Sequence, residues 1–408
     1  MPSPCPSAVP NLYSLRNPLD FAGFTLSPSM PNLRNFFARI PAALRRQRLL
    51  LAVLSGSLLS LAFPGHPHYL LSWLYNPLWG HFALVPLLLA LEGRGFKSGF
   101  TTGWTCGFVW NLFCLYWVAD TQGGGPAVVG GTLLMAAYLG LFPGLCTGLL
   151  DALRVRWGTG ILALTPVLWT AQEYLLSLGE LGFPWLLLGH SQAAIPHFVQ
   201  HAIWTGVFGV SCWVVGLNAL FYFCLFKRRW SLFAVAALGY LLPWLHAQST
   251  FANLPKEQIR IGLIQPNLTL EEKWGPNGLE RSFIKFETLS HQAAMHNPEL
   301  LVWPETALPC NLSQDLACRN RALALVEKLE IPLLTGASEY NFERNEPYNS
   351  AFFLQPGTSE TPAYAKMHLV PFGERTPYRD EIPLLRDIDW TQLTGDLGPA
   401  EFARGRQR

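Results

Sequence analysis

Residues 248–267 read QSTFANLPKEQIRIGLIQPN, and within them the chain changes its chemistry. The first half is a polar joint carrying Pro255; the second, IRIGLIQPN at 259–267, is a short apolar run closed by Pro and Asn, the pattern of a buried strand. Upstream lies nearly continuous apolar sequence, and downstream strand and helix patterns alternate. This joint divides the chain into a tail at 1–48, a helical domain at 49–247, a linker at 248–258 and an α/β domain at 259–408.

Upstream of the joint, seven apolar runs occupy roughly 49–63, 69–91, 98–119, 126–150, 160–178, 201–226 and 230–247. Most approach the roughly 20 residues that cross the hydrocarbon core of a bilayer, while the first is short enough for an interfacial helix. Across the 408 residues, 50% are hydrophobic and 14% charged, against about 25% charged in ordinary soluble proteins. Between Leu49 and Pro255 every Lys and Arg falls in alternate loops, as Arg94 and Lys97, Arg154 and Arg156, then Lys227, Arg228 and Arg229. Loops 64–68, 120–125 and 179–200 hold none. The positive-inside rule then places the N-terminus in the cytoplasm and, after an odd number of spans, everything from Gln248 outside it. The tail, rich in Pro and Ser and ending in Arg39, Arg45, Arg46 and Arg48, reads as a disordered cytoplasmic segment. A net charge of +2 without a basic cluster argues against a nucleic-acid partner.

Three features interrupt the apolar region. Glu173, in WTAQEY, is either a functional intramembrane carboxylate or one protonated or hydrogen-bonded to a neighbouring helix. GFPWLLLGHSQ at 182–192, broken by Pro184 and Gly189, reads as an interfacial or re-entrant segment. TQGGGP at 121–126 reads as a flexible outer turn.

Downstream, strands are expected at 259–267, 300–306, 331–338 and 350–356, with helices at about 278–295 and 313–328, the signature of a sheet covered by helices. Two residues carry chemistry. Glu305 ends LLVWPET, where desolvation at a strand end would raise a carboxyl toward the range of a general base; taken alone it reads first as a helix N-terminal acid satisfying the amides that follow Thr306. Lys366, in YAKMHLVPFGERTPY at 364–378, lies between the run 351–354 and a turn holding Pro371, Gly373 and Glu374. Alone it is an ordinary surface lysine; paired with Glu305 it supplies a cation beside a base. The eight cysteines show neither CxxC nor metal spacing, and Cys106, Cys114, Cys146, Cys212 and Cys224 read as small core residues.

WPET at 303–306 and YAKMHLVPFGE at 364–374 resemble the Glu and Lys motifs of the nitrilase superfamily, and HLVPFGE is similar to the form found in bacterial apolipoprotein N-acyltransferases. IGLIQPNL with Trp274 downstream, YNSA at 348–351, FPWLLLGHSQ and seven spans ahead of an external domain extend that resemblance over nearly the whole chain. It implies a multi-span α-helical membrane domain followed by an incomplete αββα, nitrilase-like extracytoplasmic domain, in the bacterial inner membrane. It further implies that Glu305 is the general base, Lys366 the oxyanion-stabilising cation, Glu374 a supporting acid, and Trp274 a residue on a mobile loop at the substrate entrance. The implied reaction moves an acyl chain from a phospholipid to the N-terminal diacylglyceryl-cysteine of a lipoprotein by way of a cysteine thioester, without cofactor or metal.

The sequence departs from this family at two points. The nucleophile belongs on a strand after the lysine, yet no cysteine follows Cys318, and the segment after Trp390, ending AEFARGRQR, stops short of it. The expectation is a C-terminally truncated domain with an exposed sheet edge. Cys310 and Cys318 precede Lys366 and are expected either to pair or to remain free thiols. Leu176 stands where the family is expected to carry an arginine, so an ion pair for Glu173 is not implied. Two further readings stay open: a catalytically dead membrane pseudoenzyme that binds lipid or lipoprotein, and a nitrilase-type amidase.

Overall fold

The computed structural model describes residues 47–64, 73–120, 125–254, 257–386 and 401–406. Nearly all of the tail, the stretch 65–72, most of the TQGGGP turn and the region around Trp390 lie outside the described residues.

Helix forms in every apolar run. Helices α1 (Arg48–Leu61) and α2 (Val85–Ala90) come first, the latter preceded by a 3-10 turn, Pro77–His81, whose Leu78 amide is capped by the Asn76 side chain at 2.9 Å. There follow α3 (Phe96–Leu115), α4 (Gly125–Trp157), α5 (Thr165–Leu176), α6 (Ala202–Phe226) and α7 (Leu232–Ala252). The last helix continues to Ala252, into the stretch read as a linker. By length and composition, α4 and α6 are the two described helices long and apolar enough to cross a membrane.

Close packing of α3 on α4 has a visible sequence cause. Gly99, Gly103 and Gly107 recur every fourth residue on α3, and a Cβ at Gly107 would come within 2.9 Å of the Gly140 Cα. A stripe of this kind lets two backbones approach where larger side chains would hold them apart. The helical region carries large apolar side chains on its outside around a largely apolar core that also holds buried polar groups. Leu134, Val167, Ile203, Trp204 and Leu242 are exposed on its outside, whereas Asn111, Glu173, Gln192 and Asn218 are buried within. The buried groups find partners: the Asn218 amide donates to Gly80 O at 2.7 Å, and its Oδ1 accepts from Leu84 N–H at 2.8 Å.

Glu173 is hydrogen-bonded to neutral donors. Its Oε1 accepts from the Trp169 indole N–H at 3.0 Å and from the Leu188 amide at 2.8 Å. The 182–192 segment forms 3-10 turns at Pro184–Leu186 and Leu188–Gln192, and the Gly189 amide donates to Ser211 Oγ on α6 at 2.8 Å. Glu173 therefore fastens this segment to α5 and also bonds Ser211 of the neighbouring helix α6.

Downstream, β1 (Ile261–Leu263), α8 (Leu270–Trp274), α9 (Gly278–Ala294), β2 (Leu300–Val302), α10 (Leu316–Leu329), β3 (Leu333–Asn341), β4 (Glu346–Leu354) and β5 (Ala363–Ala365) build a five-stranded sheet in sequential order. The first three strands are parallel, and β3–β4 and β4–β5 are antiparallel, with Ser350 opposite Ala365 in the last pair. The strand limits differ from expectation. Strands β1 and β2 are shorter, β3 and β4 longer, and β5 was not anticipated as a strand. Between α9 and α10, Arg321 bridges Glu280 and Glu287 while its guanidinium lies 4.4 Å over the Phe283 ring. Beneath them Phe286 stacks on Trp303 at 4.5 Å, and Phe352 and Leu354 complete a buried core. On the edge strand β1, Ile261 and Leu263 remain exposed.

Candidate functional site

Strand β2 ends at Val302, and the next residues leave the sheet while staying tied to β3: Trp303 N–H donates to Leu334 O at 2.9 Å and Ala307 N–H to Gly336 O at 2.8 Å. Gly336 makes this crossing feasible, because a Cβ there would lie 2.7 Å from the Glu305 Cα and 2.6 Å from the Thr306 N. Thr306 itself holds a left-handed φ of 47°, a conformation that costs a β-branched residue energy and turns the chain at once after Glu305. No helix starts here; α10 begins at Leu316, capped by the Asp315 side chain on the Cys318 amide at 3.0 Å. Glu305 therefore does not sit at a helix N-terminus.

Lys366 follows directly on β5. Its amide donates to Asn349 O at 2.8 Å, and its carbonyl accepts from Gly405 N–H at 2.9 Å. The chain then turns through Val370–Glu374, where the Glu374 amide donates to Val370 O at 2.9 Å and the Val370 amide returns a bond to Glu374 Oε2 at 2.7 Å.

These two routes bring the predicted groups together. Lys366 Nζ lies 3.0 Å from Glu305 Oε1 and 3.0 Å from Glu374 Oε1. Asn349, on β4, spends both amide protons on the same carboxylates, at 2.5 Å to Glu305 and 2.7 Å to Glu374. Two anions and one cation thus share a site with a neutral bidentate donor, which leaves a net negative charge once Lys366 is protonated.

The protonation states follow. Loss of water pushes Glu305 up, but the hydrogen bonds from Lys366 and Asn349, with the charges of Lys366 and Lys273, outweigh that and hold it below the usual carboxylate value. This corrects the expectation of a raised carboxyl: Glu305 is 59% exposed and is paired, so desolvation does not dominate. Burial by itself would lower Lys366, yet bonds to Glu305 and Glu374 keep it above the usual lysine value. Lys273 is lowered by burial, with Glu305 opposing the change.

Trp274 is exposed and sits at the end of helix α8, whose Thr269–Glu272 capping box satisfies both ends of its first turn. Cys310 and Cys318 form a disulfide, so neither sulfur is a free thiolate. Sequence reasoning quoted Asn349 within YNSA without giving it a task. The signal was there, since an Asn in an otherwise apolar strand needs partners. Among the described residues no group of three or more His, Cys, Asp or Glu is arranged to hold a metal ion.

Chemically, a carboxylate hydrogen-bonded to an ammonium offers a base and a cation at one point in space, the pair required to deprotonate a nucleophile and to stabilise the oxyanion it generates. Comparison with known proteins places the chain among its relatives. Residues 55–220 match the family model of the apolipoprotein N-acyltransferase N-terminal domain, and residues 260–403 match that of the carbon-nitrogen hydrolases. The chain is 31% identical to an apolipoprotein N-acyltransferase of Chlorobaculum tepidum, covering 88% of this chain and 70% of that one, and 31% identical to one of Geobacter metallireducens with the same coverage. A third, from Chromobacterium violaceum, is 33% identical over 88% of this chain and 67% of its own. With its acid–lysine pair held at one end of a carbon-nitrogen hydrolase sheet, this chain belongs to the apolipoprotein N-acyltransferase family of the nitrilase superfamily.

Proposed function

We propose that the chain carries the base and cation of an apolipoprotein N-acyltransferase. The reaction moves an acyl chain from a membrane phospholipid to the α-amino group of a lipoprotein's N-terminal diacylglyceryl-cysteine. In the first half, Glu305 takes the proton of a thiol, the thiolate attacks the phospholipid ester, and Lys366 stabilises the tetrahedral oxyanion. The ester C–O bond then breaks, the proton returns to the leaving alkoxide, and a thioester and a lysophospholipid result. In the second half the lipoprotein amine attacks the thioester, giving the amide and the free thiol. Glu374 and Asn349 hold Lys366 in place, and Trp274 stands where it meets incoming substrate. The observation that carries this reading is the contact of Lys366 Nζ with Glu305 and Glu374 at 3.0 Å each.

The polarity of the helical region supports its placement in the bacterial inner membrane. Large apolar side chains on the outside of a helical region are the solution lipid imposes. In this reading seven helical segments span or line the bilayer, the N-terminus faces the cytoplasm and the sheet domain the periplasm, with domain limits at 49–247 and 259–408. Both substrates are lipid-anchored, so a site held at the membrane surface meets them at high effective concentration.

Cys310 and Cys318, the cysteines nearest to Lys366 in sequence, are joined to each other, so neither is the thiol of this step. A second reading is a lipid- or lipoprotein-binding pseudoenzyme. Incubating the purified 408-residue chain with phospholipid labelled in its acyl group tests both. No hydroxylamine-sensitive label on this chain is expected; a trapped thioester sinks the assignment of Glu305 and Lys366 to an external thiol. Co-expression with a polypeptide bearing a cysteine strand is expected to restore transfer, abolished again by Glu305→Gln or Lys366→Met. Failure of that restoration leaves the pseudoenzyme reading. Hydrolysis of small amides without any action on phospholipid would instead favour an amidase.

A further inference from the structure

A groove of about 630 Å³ opens between α5 and α6, far from the Glu305–Lys366 cluster. Topology places it at the opposite end of the helices. The turn following α5 touches the sheet domain, where the Tyr378 amide donates to Glu180, whereas the groove lies beside the turn Thr159–Leu164 that precedes α5. Helix α7 leads into the sheet domain, and the groove is closed at the other end of the α6–α7 hairpin, by Lys227, Arg229 and Leu232.

Its lining divides by chemistry. Pro166, Gly216, Leu220 and Phe223 form apolar walls, Lys227 and Arg229 stand at one end, and no acidic side chain contributes. The apolar part is an open slot: a Cβ built on Gly216 meets nothing closer than the Pro166 Cγ at 4.0 Å. The volume falls within the range of about 300–1,000 Å³ typical of small-ligand sites. Nearby, Trp230 is exposed and stacks on Phe233 at 5.6 Å, and Trp157, also exposed, closes α4 under the Arg156 guanidinium at 5.7 Å. Exposed tryptophans beside clustered cations mark the level of lipid headgroups.

We propose that this groove binds one anionic phospholipid, its acyl chain along Gly216 and Phe223 and its phosphate against Lys227 and Arg229. The ligand is a bound lipid of the leaflet facing away from the sheet domain, separate from the acyl donor. The inference rests on the placement of these helices in a bilayer. Two cations at the end of an apolar slot recognise a phosphate diester that carries a net negative charge over a zwitterion, since a headgroup ammonium would meet like charge.

The test is native mass spectrometry of the full chain in detergent, titrated with phosphatidylglycerol or phosphatidylethanolamine of matched acyl chains. One phosphatidylglycerol is expected to bind in preference. Lys227→Ala combined with Arg229→Ala should weaken it about 30-fold while changing phosphatidylethanolamine little. Gly216→Phe, which fills the slot, should weaken both lipids. Equal binding of the two lipids by the unaltered chain would overturn the proposal. So would an equal loss on Arg94→Ala with Lys97→Ala, cations outside the groove. The exposed cation pair keeps the test decisive if Gly216→Phe fails to fold. Release of the chain from membranes by alkaline carbonate would instead overturn the bilayer placement itself, an outcome distinct from loss of lipid preference.

Discussion

Glu180 and Arg404 form an ion pair at 2.5 Å, joining the turn after α5 to the last described segment of the chain. The same carboxylate accepts the Tyr378 amide and is only 13% exposed. One residue beyond Arg404, the Gly405 amide donates to the Lys366 carbonyl at 2.9 Å. A carboxylate in the helical region is thus two contacts from the backbone of Lys366. Glu180→Ala is expected to release both segments at a cost of about 1–3 kcal/mol, the range for removing one partner of a mostly buried hydrogen-bonded group. Hydrogen exchange should then rise about tenfold or more in peptides covering 364–378 and 401–406. Unchanged exchange in both would show that Glu180 does not position them.

The charges of Glu305 and Lys366 define a pH window. Glu305 is held below its ordinary value of 4.5, so its contribution to stability is complete above 4.5 and is lost as pH falls through the folded value. Lys366 is held above its ordinary 10.5, so its contribution is complete below 10.5 and is lost as pH rises through the folded value. Thermal denaturation of Lys366→Met against the unaltered chain should show the largest difference between these limits. A difference that stayed constant from pH 3 to 7 would contradict a charged pair.

Asn349→Leu removes both amide donors while keeping the size of the side chain. Stability is expected to fall by about 1–3 kcal/mol, since two carboxylates lose a shared neutral partner. Asn349→Asp should be worse at neutral pH and recover on acidification, because a third carboxylate repels the other two until it is protonated. Chemical denaturation at two pH values distinguishes the variants.

The Cys310–Cys318 bridge closes a short loop onto the first turn of α10. Replacing both by Ala should cost about 2–4 kcal/mol, chiefly by freeing the unfolded chain. Reductant should lower the melting temperature of the unaltered chain and leave the double variant unmoved.

The helical segments were legible because long apolar runs separated by alternating cations leave few other readings, and α9 and α10 because their periodicity spans several turns. Strand β5 was hidden: three residues, Ala363–Ala365, carry no alternation, and only pairing with β4 makes them a strand. Glu305 and Lys366 were legible as residue types in stiff contexts, but the carboxyl's proton affinity was not. It depends on Asn349 and Lys273, which come near Glu305 only through the fold. Glu180 gave no local signal, for its partners stand at Tyr378 and Arg404.

The pairing of β4 with β5 sets Ser350 across from Ala365, and the Lys366 amide takes the next bond, to Asn349. The two residues that meet through their side chains at the carboxylates are therefore neighbours on the ladder as well. A slip of one residue would present Met367 to Asn349 and turn the amine to the opposite face. Distances in the constellation are thus written in strand alignment. Residues 355–362, which connect the strands, can change in number without disturbing it, whereas a single insertion within 363–366 would dismantle it.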